Sequence, residues 1–390
     1  MHTATIQQFI QQHLEADPQA LLLAAHRYPG IPMPYVASQL LALRKVRDKI
    51  PAWYHPALHF PAQLSVEQAS SERTARFKAS LFSGTRMADL TGGLGVDSWA
   101  WASRFERVLY VEQNPDLVEA ASHNFNVLGV HNIDCRLTNA QDFLATANTA
   151  FDLLYLDPAR RDDLQRKVFR LEDCQPDILA LRETLLRHAP RVLVKTAPWL
   201  DLKLAVRQLG AVSCIWVVSV ADECKEVLYL LEHTAPPADE VPVIAVALGE
   251  GMRQFRFTWR EEQAALAPLA APQRYLYEPD AAVLKAGAFR SFAQRFGLFK
   301  LHPNTHLYTS DQLQEGVPGR TFQLEHICKY DRKAVHAAVP GGRANLATRN
   351  FPDSTATVRR QLALADGGAY YLFAATTFGN KKEILVGRKV

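Results

Sequence analysis

The chain has 390 residues, enough for two to four compact units. Hydrophobic residues make up 48% and charged residues 22%, which excludes the disordered, collagen-like and coiled-coil classes. The net charge of +4 announces neither nucleic acid nor membrane, but residues 316–390 carry 12 Lys or Arg against 5 Asp or Glu, whereas residues 1–315 carry 32 against 35.

Residues 1–64 read as a helical domain. Ile6, Phe9, Ile10 and Leu14 recur at helical spacing, and Asp17 with Pro18 form a cap and first-turn pair. Arg44, Lys45, Arg47 and Lys49 on a following amphipathic stretch read most simply as a solvated face, with a substrate-facing patch as the alternative. Ser65 and Gln68 match a capping box that opens the helix EQASSERTARFKASLF. On it Ser71, Thr74 and Lys78 share one face, either solvated or forming a substrate-binding wall.

Residues 65–235 alternate apolar runs with helical segments. The runs RMADL, RVLYVE, NIDCRL, FDLLYLD, RVLVKT, SCIWVVSV and EVLYLLE read as strands. Such alternation predicts an α/β unit with a parallel sheet, and the five residues between the last two runs allow only an antiparallel hairpin. This seven-stranded Rossmann-like pattern with a terminal hairpin is similar to the sheet of class I S-adenosylmethionine (SAM) methyltransferases. Residues 236–272 read as a strand pair and an Ala/Pro-rich linker, 273–315 as a mixed α+β segment, and 316–390 as the basic domain.

The chemistry concentrates where strands end. Asp89 closes the first strand, and Thr91, Gly92, Gly93 and Gly95 form the turn, where glycine lets the backbone approach a ligand. The turn lacks the GxGxxG register and the Lys and Ser/Thr of a P-loop, which disfavours nicotinamide and nucleoside triphosphate. Glu112 and Gln113 end the second strand, where an acid can accept from ribose hydroxyls. That combination suits SAM, with its amino-acid end on the glycine turn and its ribose on Glu112. Asp142 and Phe143 follow the third strand, over the expected adenine position, although Asp142 also fits a helix cap.

In order and spacing, DLTGGLG, VEQN, NAQDFL and LDPARR resemble class I SAM-dependent methyltransferases. EQASSERTARFKA, VKTAPWLD, ECKEVLYL, YLYEPD, PGR and RNFP narrow the resemblance to a bacterial group with a helical N-terminus, a ferredoxin-like segment and a C-terminal THUMP-like domain. The resemblance implies a methyltransferase with SAM as cofactor and, because THUMP domains accompany RNA-modifying enzymes, an RNA substrate. It places Asp157, Pro158, Arg160 and Lys195 at the acceptor, with Trp199 available to stack on a base or to pack. LDPARR lacks the second proline and the aromatic of exocyclic-amine methylases. Arg160 resembles instead the arginine of enzymes acting at carbon 5 of uracil, which need a cysteine nucleophile; Cys224 is then the candidate, or a packed thiol.

In the basic domain Arg320, Lys329, Arg332, Lys333, Arg343, Arg349, Arg359 and Arg360 interleave with Phe322, Tyr330 and Phe351, suited to phosphate contact and base stacking, with Arg343 and Arg349 as substrate-binding candidates. Five cysteines without a CxxC pair suggest neither metal nor disulfides. Without a basic, apolar leader or a ~18-residue apolar span, the expectation is a cytoplasmic protein with no membrane partner. A noncatalytic RNA-binding or assembly protein retaining a SAM-binding domain is the alternative reading, and a nicotinamide-dependent oxidoreductase a third.

Overall fold

The computed structural model describes residues 4–61, 63–160 and 171–390. The chain divides into two compact units, one made of Met1–Ser213 with Leu228–Ala235, the other of Cys214–Val227 with Pro236–Val390.

The first unit opens with helices Ala4–Gln12, Pro18–Leu23 and Met33–Lys49. Asp17 caps the second, accepting from the Gln19 N–H, with Pro18 in the first turn. The basic residues of the third helix tie it to its neighbours. Arg44 donates to the Ala16 carbonyl at 2.7 Å, Lys49 donates to the Val66 carbonyl at 2.9 Å, and Lys45 pairs with Glu67. Arg44, Lys45 and Lys49 thus fasten the helix to its neighbours while Arg47 stays exposed, which corrects the expectation of a solvated face for three of the four. Ser65 falls inside helix Gln63–Gln68, so it opens no helix. The working cap is Ser71, which accepts from the Thr74 N–H at 3.2 Å and starts helix Glu72–Leu81.

Next come β1 (Gly84–Asp89), β2 (Phe105–Glu112), β3 (Ile133–Leu137), β4 (Leu153–Leu156), the short β5 (Ala159–Arg160) and β6 (Cys174–Gln175), β7 (Val192–Thr196), β8 (Val212–Val220) and β9 (Glu223–Leu231). Strand order in the first unit is β9-β7-β4-β1-β2-β3, and the β7-β4-β1-β2-β3 pairings are parallel. Helices Val96–Trp101, Pro115–Val127, Ala140–Thr146 and Ile178–His188 supply the crossovers. Every residue of β4 and β7 is buried, as expected for central parallel strands. β5 and β6 form a separate antiparallel pair.

In the second unit Ala221 and Asp222, both with positive φ, form the two-residue turn between β8 and β9. β10 (Val243–Leu248) pairs parallel with β8, and β11 (Met252–Phe257) antiparallel with β10. The strand pair assigned from sequence to a linker region therefore lengthens the expected seven-stranded arrangement, giving β11-β10-β8-β9.

The remaining strands are β12 (Tyr275–Pro279), β13 (Phe299–His302), β14 (Thr305–Ser310), β15 (Gly319–Lys329), β16 (Arg343–Arg349), β17 (Ala365–Thr377) and β18 (Lys381–Lys389). They build one sheet of order β13-β14-β12-β15-β18-β17-β16. Antiparallel pairing of β12 with β15, from Tyr275↔Gln323 to Pro279↔Gly319, joins the α+β segment to the basic domain. Only β16 and β17 pair in parallel among these strands, and helix Thr355–Leu362 makes their crossover. Phe322 is core, while Tyr330 and Phe351 pack edge to face with centroids 5.2 Å apart against a buried cluster. These rings are packing elements, which corrects the expectation of an exposed stacking surface.

Candidate active site

A cleft of about 270 Å3 opens beyond the carboxyl ends of β1, β2 and β4, where open α/β sheets bind ligands. Asp89, Thr91, Gly92, Gly93, Gly95, Glu112, Gln113 and Asp157 all line it.

The glycine turn is shaped by close approach. A Cβ at Gly92 would lie 2.2 Å from the buried Tyr110 ring; Gly95 has φ of +90° and would press its Cβ to 2.7 Å from Phe125. Tyr110 also holds the turn, its hydroxyl donating to the Gly93 carbonyl at 2.6 Å. Beneath it Asp89, 1% exposed, accepts from the Thr91 N–H at 3.1 Å and the Ser98 hydroxyl at 2.7 Å. Burial outweighs these bonds and pushes its carboxyl up to about 7. Glu112 accepts from the N–H groups of Gly93 at 3.0 Å and Asn114 at 2.9 Å, which aims its carboxylate along the cleft wall.

The third-strand residues sit differently. Thr138, Asn139, Ala140 and Gln141 line the cleft. Asn139 caps the next helix and donates to the Asp142 carboxylate at 2.7 Å, while Phe143 faces Phe151 with centroids 6.1 Å apart. Asp142 and Phe143 thus stand just beyond the lining.

On the acceptor side, the Asp157 N–H donates to Thr91 Oγ1 at 2.6 Å, tying the end of β4 to the glycine turn. Lys195 Nζ lies 2.5 Å from Asp157 Oδ2. Pro158 is buried, Ala159 lines the cleft, and Trp199 is 82% exposed in the turn after β7. Arg160 contributes backbone to β5; its side chain lies outside the described residues. Gln175 and Pro176 complete this wall.

One cleft residue escaped sequence reasoning. Asp97 lines the cleft and joins Lys78, which is 0% exposed: Lys78 Nζ lies 3.2 Å from Asp97 Oδ1 and donates to Ser70 Oγ at 3.0 Å. Ser70 and Tyr155 hydroxyls donate to Asp97 Oδ2 at 2.9 and 2.8 Å. Burial would raise the Asp97 carboxyl, but Lys78 and Lys195 outweigh it and hold it below the usual carboxylate range. The available signal was an acid in the short helix VDSWAW, which reads equally as a favourable first-turn charge.

Ser71 and Thr74 are engaged in the helix cap, the Thr74 hydroxyl donating to the Ser71 carbonyl. In the second unit, burial pushes the Cys224 thiol up to about 12, so it is protonated at neutral pH. Arg343 is exposed, whereas Arg349 pairs with the buried Glu278 at 2.5 Å. Among the described residues no His, Cys, Asp or Glu cluster could hold a metal ion, and no helix is long and apolar enough to cross a membrane.

A parallel sheet bearing a buried acid, a close-approach glycine turn and a second-strand carboxylate around one cleft defines a class I SAM-dependent methyltransferase. Family models agree at the other end of the chain: a ferredoxin-like domain matches residues 275–318 and a THUMP domain-like model residues 319–389. A crystal structure from Porphyromonas gingivalis W83, of a protein classed as a methyltransferase, is 35% identical, with a TM-score of 0.89 over 99% of this chain and 98% of that one. Two Mycobacterium tuberculosis proteins, the uncharacterised SAM-dependent methyltransferases MT3122 and Rv3037c, are each 25% identical over 77% of this chain and 80% of theirs. The chain belongs to the bacterial family of SAM-dependent methyltransferases with ferredoxin-like and THUMP-like domains.

Proposed function

We propose that this methyltransferase modifies RNA, in the cytoplasm, and that the cleft described above is its cofactor and acceptor site. The observation that carries the RNA reading is the THUMP domain-like match at residues 319–389, coincident with the basic end of the chain. Lys329, Arg332, Lys333, Arg343 and Arg360 are exposed there and suited to phosphate contact.

In this reading Asp89 and the Thr91–Gly95 turn hold the amino-acid end of SAM, Glu112 and Gln113 the ribose, and the wall at residues 138–141 the adenine. The residues fit the cofactor: Gly92 lets the turn pack directly on the Tyr110 ring, which sets the turn's backbone along the cleft, and Asp89 and Glu112 line that same cleft. Bound SAM supplies an electrophilic methyl group on sulfonium. The protein's own part is to hold the acceptor in line, a positioning effect that carries much of the rate in such transfers.

Incubation with methyl-labelled SAM and total RNA from cells lacking the protein tests this. The proposal expects label in RNA with the wild type and its loss with Asp157→Ala. Absence of labelling, with SAM binding intact, supports instead a noncatalytic RNA-binding or assembly role.

A further inference from the structure

The acceptor wall of the cleft is built from charge. Lys78 is buried completely, at a desolvation cost that only close partners can offset, and it reaches the site from the helix preceding β1. Its partner Asp97 is fixed by Tyr155 of β4, and Asp157 beyond the end of that strand holds the ammonium of Lys195 from β7. Two ammonium groups and two carboxylates thus converge from four elements, and Asp97, Asp157 and Ser70 line the same cleft.

This wall suits a hydroxyl acceptor better than an exocyclic amine or a pyrimidine ring carbon. An exocyclic amine is served by a flat clamp of a second proline and an aromatic on the base, but Ala159 and Arg160 stand in those places. Methylation of a pyrimidine ring at carbon 5 needs a cysteine nucleophile, and no cysteine is among the described residues that line the cleft. An alcohol needs a cation beside its oxygen, because charge accumulates there, and an adjacent carboxylate for its proton.

Resting on the RNA reading above, we propose that the acceptor is a hydroxyl oxygen, the ribose 2′-hydroxyl of an RNA nucleotide, with Asp157 and Lys195 as catalytic residues and Asp97 and Lys78 as positioning residues. The hydroxyl proton passes to the Asp157 carboxylate and then to water, and the Lys195 side chain donates to the oxygen while negative charge grows there as the proton leaves. The oxygen's electron pair forms the new O–CH3 bond as the sulfonium C–S bond breaks, that bond's electron pair remaining on sulfur, which becomes a neutral thioether. Asp97 and Lys78 touch neither reactant; they keep the wall rigid and its charge balanced, so that the Lys195 ammonium stays on Asp157.

The test is the chemistry of the labelled product. Total RNA from cells lacking the protein is labelled with methyl-labelled SAM and hydrolysed in alkali. A 2′-O-methyl group blocks cleavage of the adjacent phosphodiester, so label is expected in alkali-stable dinucleotides. Label released in mononucleotides means base methylation and overturns the hydroxyl acceptor while leaving the RNA reading standing. RNA that takes up no label overturns the reading that the protein methylates RNA, and this proposal with it. Lys195→Met should slow the transfer about 100-fold or more while S-adenosylhomocysteine still binds in calorimetry, which also reports an intact fold. Transfer at the wild-type rate in that variant contradicts the role of Lys195. Asp97→Asn should displace the pH–rate profile of the transfer, and a merely slower rate with an unmoved profile contradicts its positioning role.

Discussion

Asp89 sits where burial and function compete. Its carboxyl is pushed up to about 7 by desolvation, against the stabilising donors Ser98 and Thr91. An unfolded aspartate titrates near ~3.9, so the folded state binds the proton more tightly. Its contribution to stability is then fully present below about pH 4 and is lost as pH rises through about 7. Urea unfolding at pH 5 and pH 8 should show Asp89→Asn relieving much of the alkaline loss; an unchanged difference between the two pH values counts against it. In the proposed placement the ligand prefers the opposite state, because its ammonium would pair with the carboxylate. Affinity for S-adenosylhomocysteine is therefore expected to fall toward about tenfold per pH unit below pH 7, measured by calorimetry at pH 6 and pH 8.

At the scale of elements, the helix Glu72–Leu81 joins two roles. Its start is a cap made by Ser71 and Thr74, and its interior sends Lys78 to the cleft. Ser71→Ala should cost about 1 kcal/mol in chemical unfolding and leave S-adenosylhomocysteine affinity unchanged. A large loss of affinity at constant stability would show instead that Ser71 faces the ligand. The strands were legible because parallel strands buried on both faces read as continuous apolar runs, as in LLYL and VLVKT. Asp89 and the glycine turn were legible because a backbone constraint leaves a local signature. The capping box at Ser65 was misread because the same spacing occurs inside a helix. The placement of Asp142 was off by a short step, since the start of the helix at Ala140 decides which residues face the cleft. The Lys78–Asp97 pair was illegible, because only tertiary folding brings residues 19 positions apart on separate helices together.

Across the whole molecule, motifs that resemblance alone grouped together converge on one buried carboxylate. Glu278 of YLYEPD, 2% exposed, accepts from Arg320 of PGR at 2.9 Å and from Arg349 of RNFP at 2.5 Å. Gly319 lies against the Glu278 carbonyl, where a Cβ would come within 2.1 Å. Basic residues that read as RNA contacts therefore include structural fasteners, and the +7 balance of residues 316–390 overstates the charge available to phosphate. Arg349→Ala should destabilise the protein by roughly 3 kcal/mol by leaving Glu278 half-compensated, seen in thermal unfolding. Arg343→Ala, at an exposed position, should leave the melting temperature unchanged and weaken RNA binding with a reduced salt dependence.

Everything proposed for catalysis depends on the cofactor lying in the cleft between the glycine turn and Glu112. Titration calorimetry of S-adenosylhomocysteine into the wild type and Glu112→Ala tests this most directly. The expected result is one site per chain in the wild type and at least about tenfold weaker binding in the variant, from the loss of a charge-assisted bond to ribose. Wild-type affinity in Glu112→Ala, or no binding to the wild type, would contradict that placement.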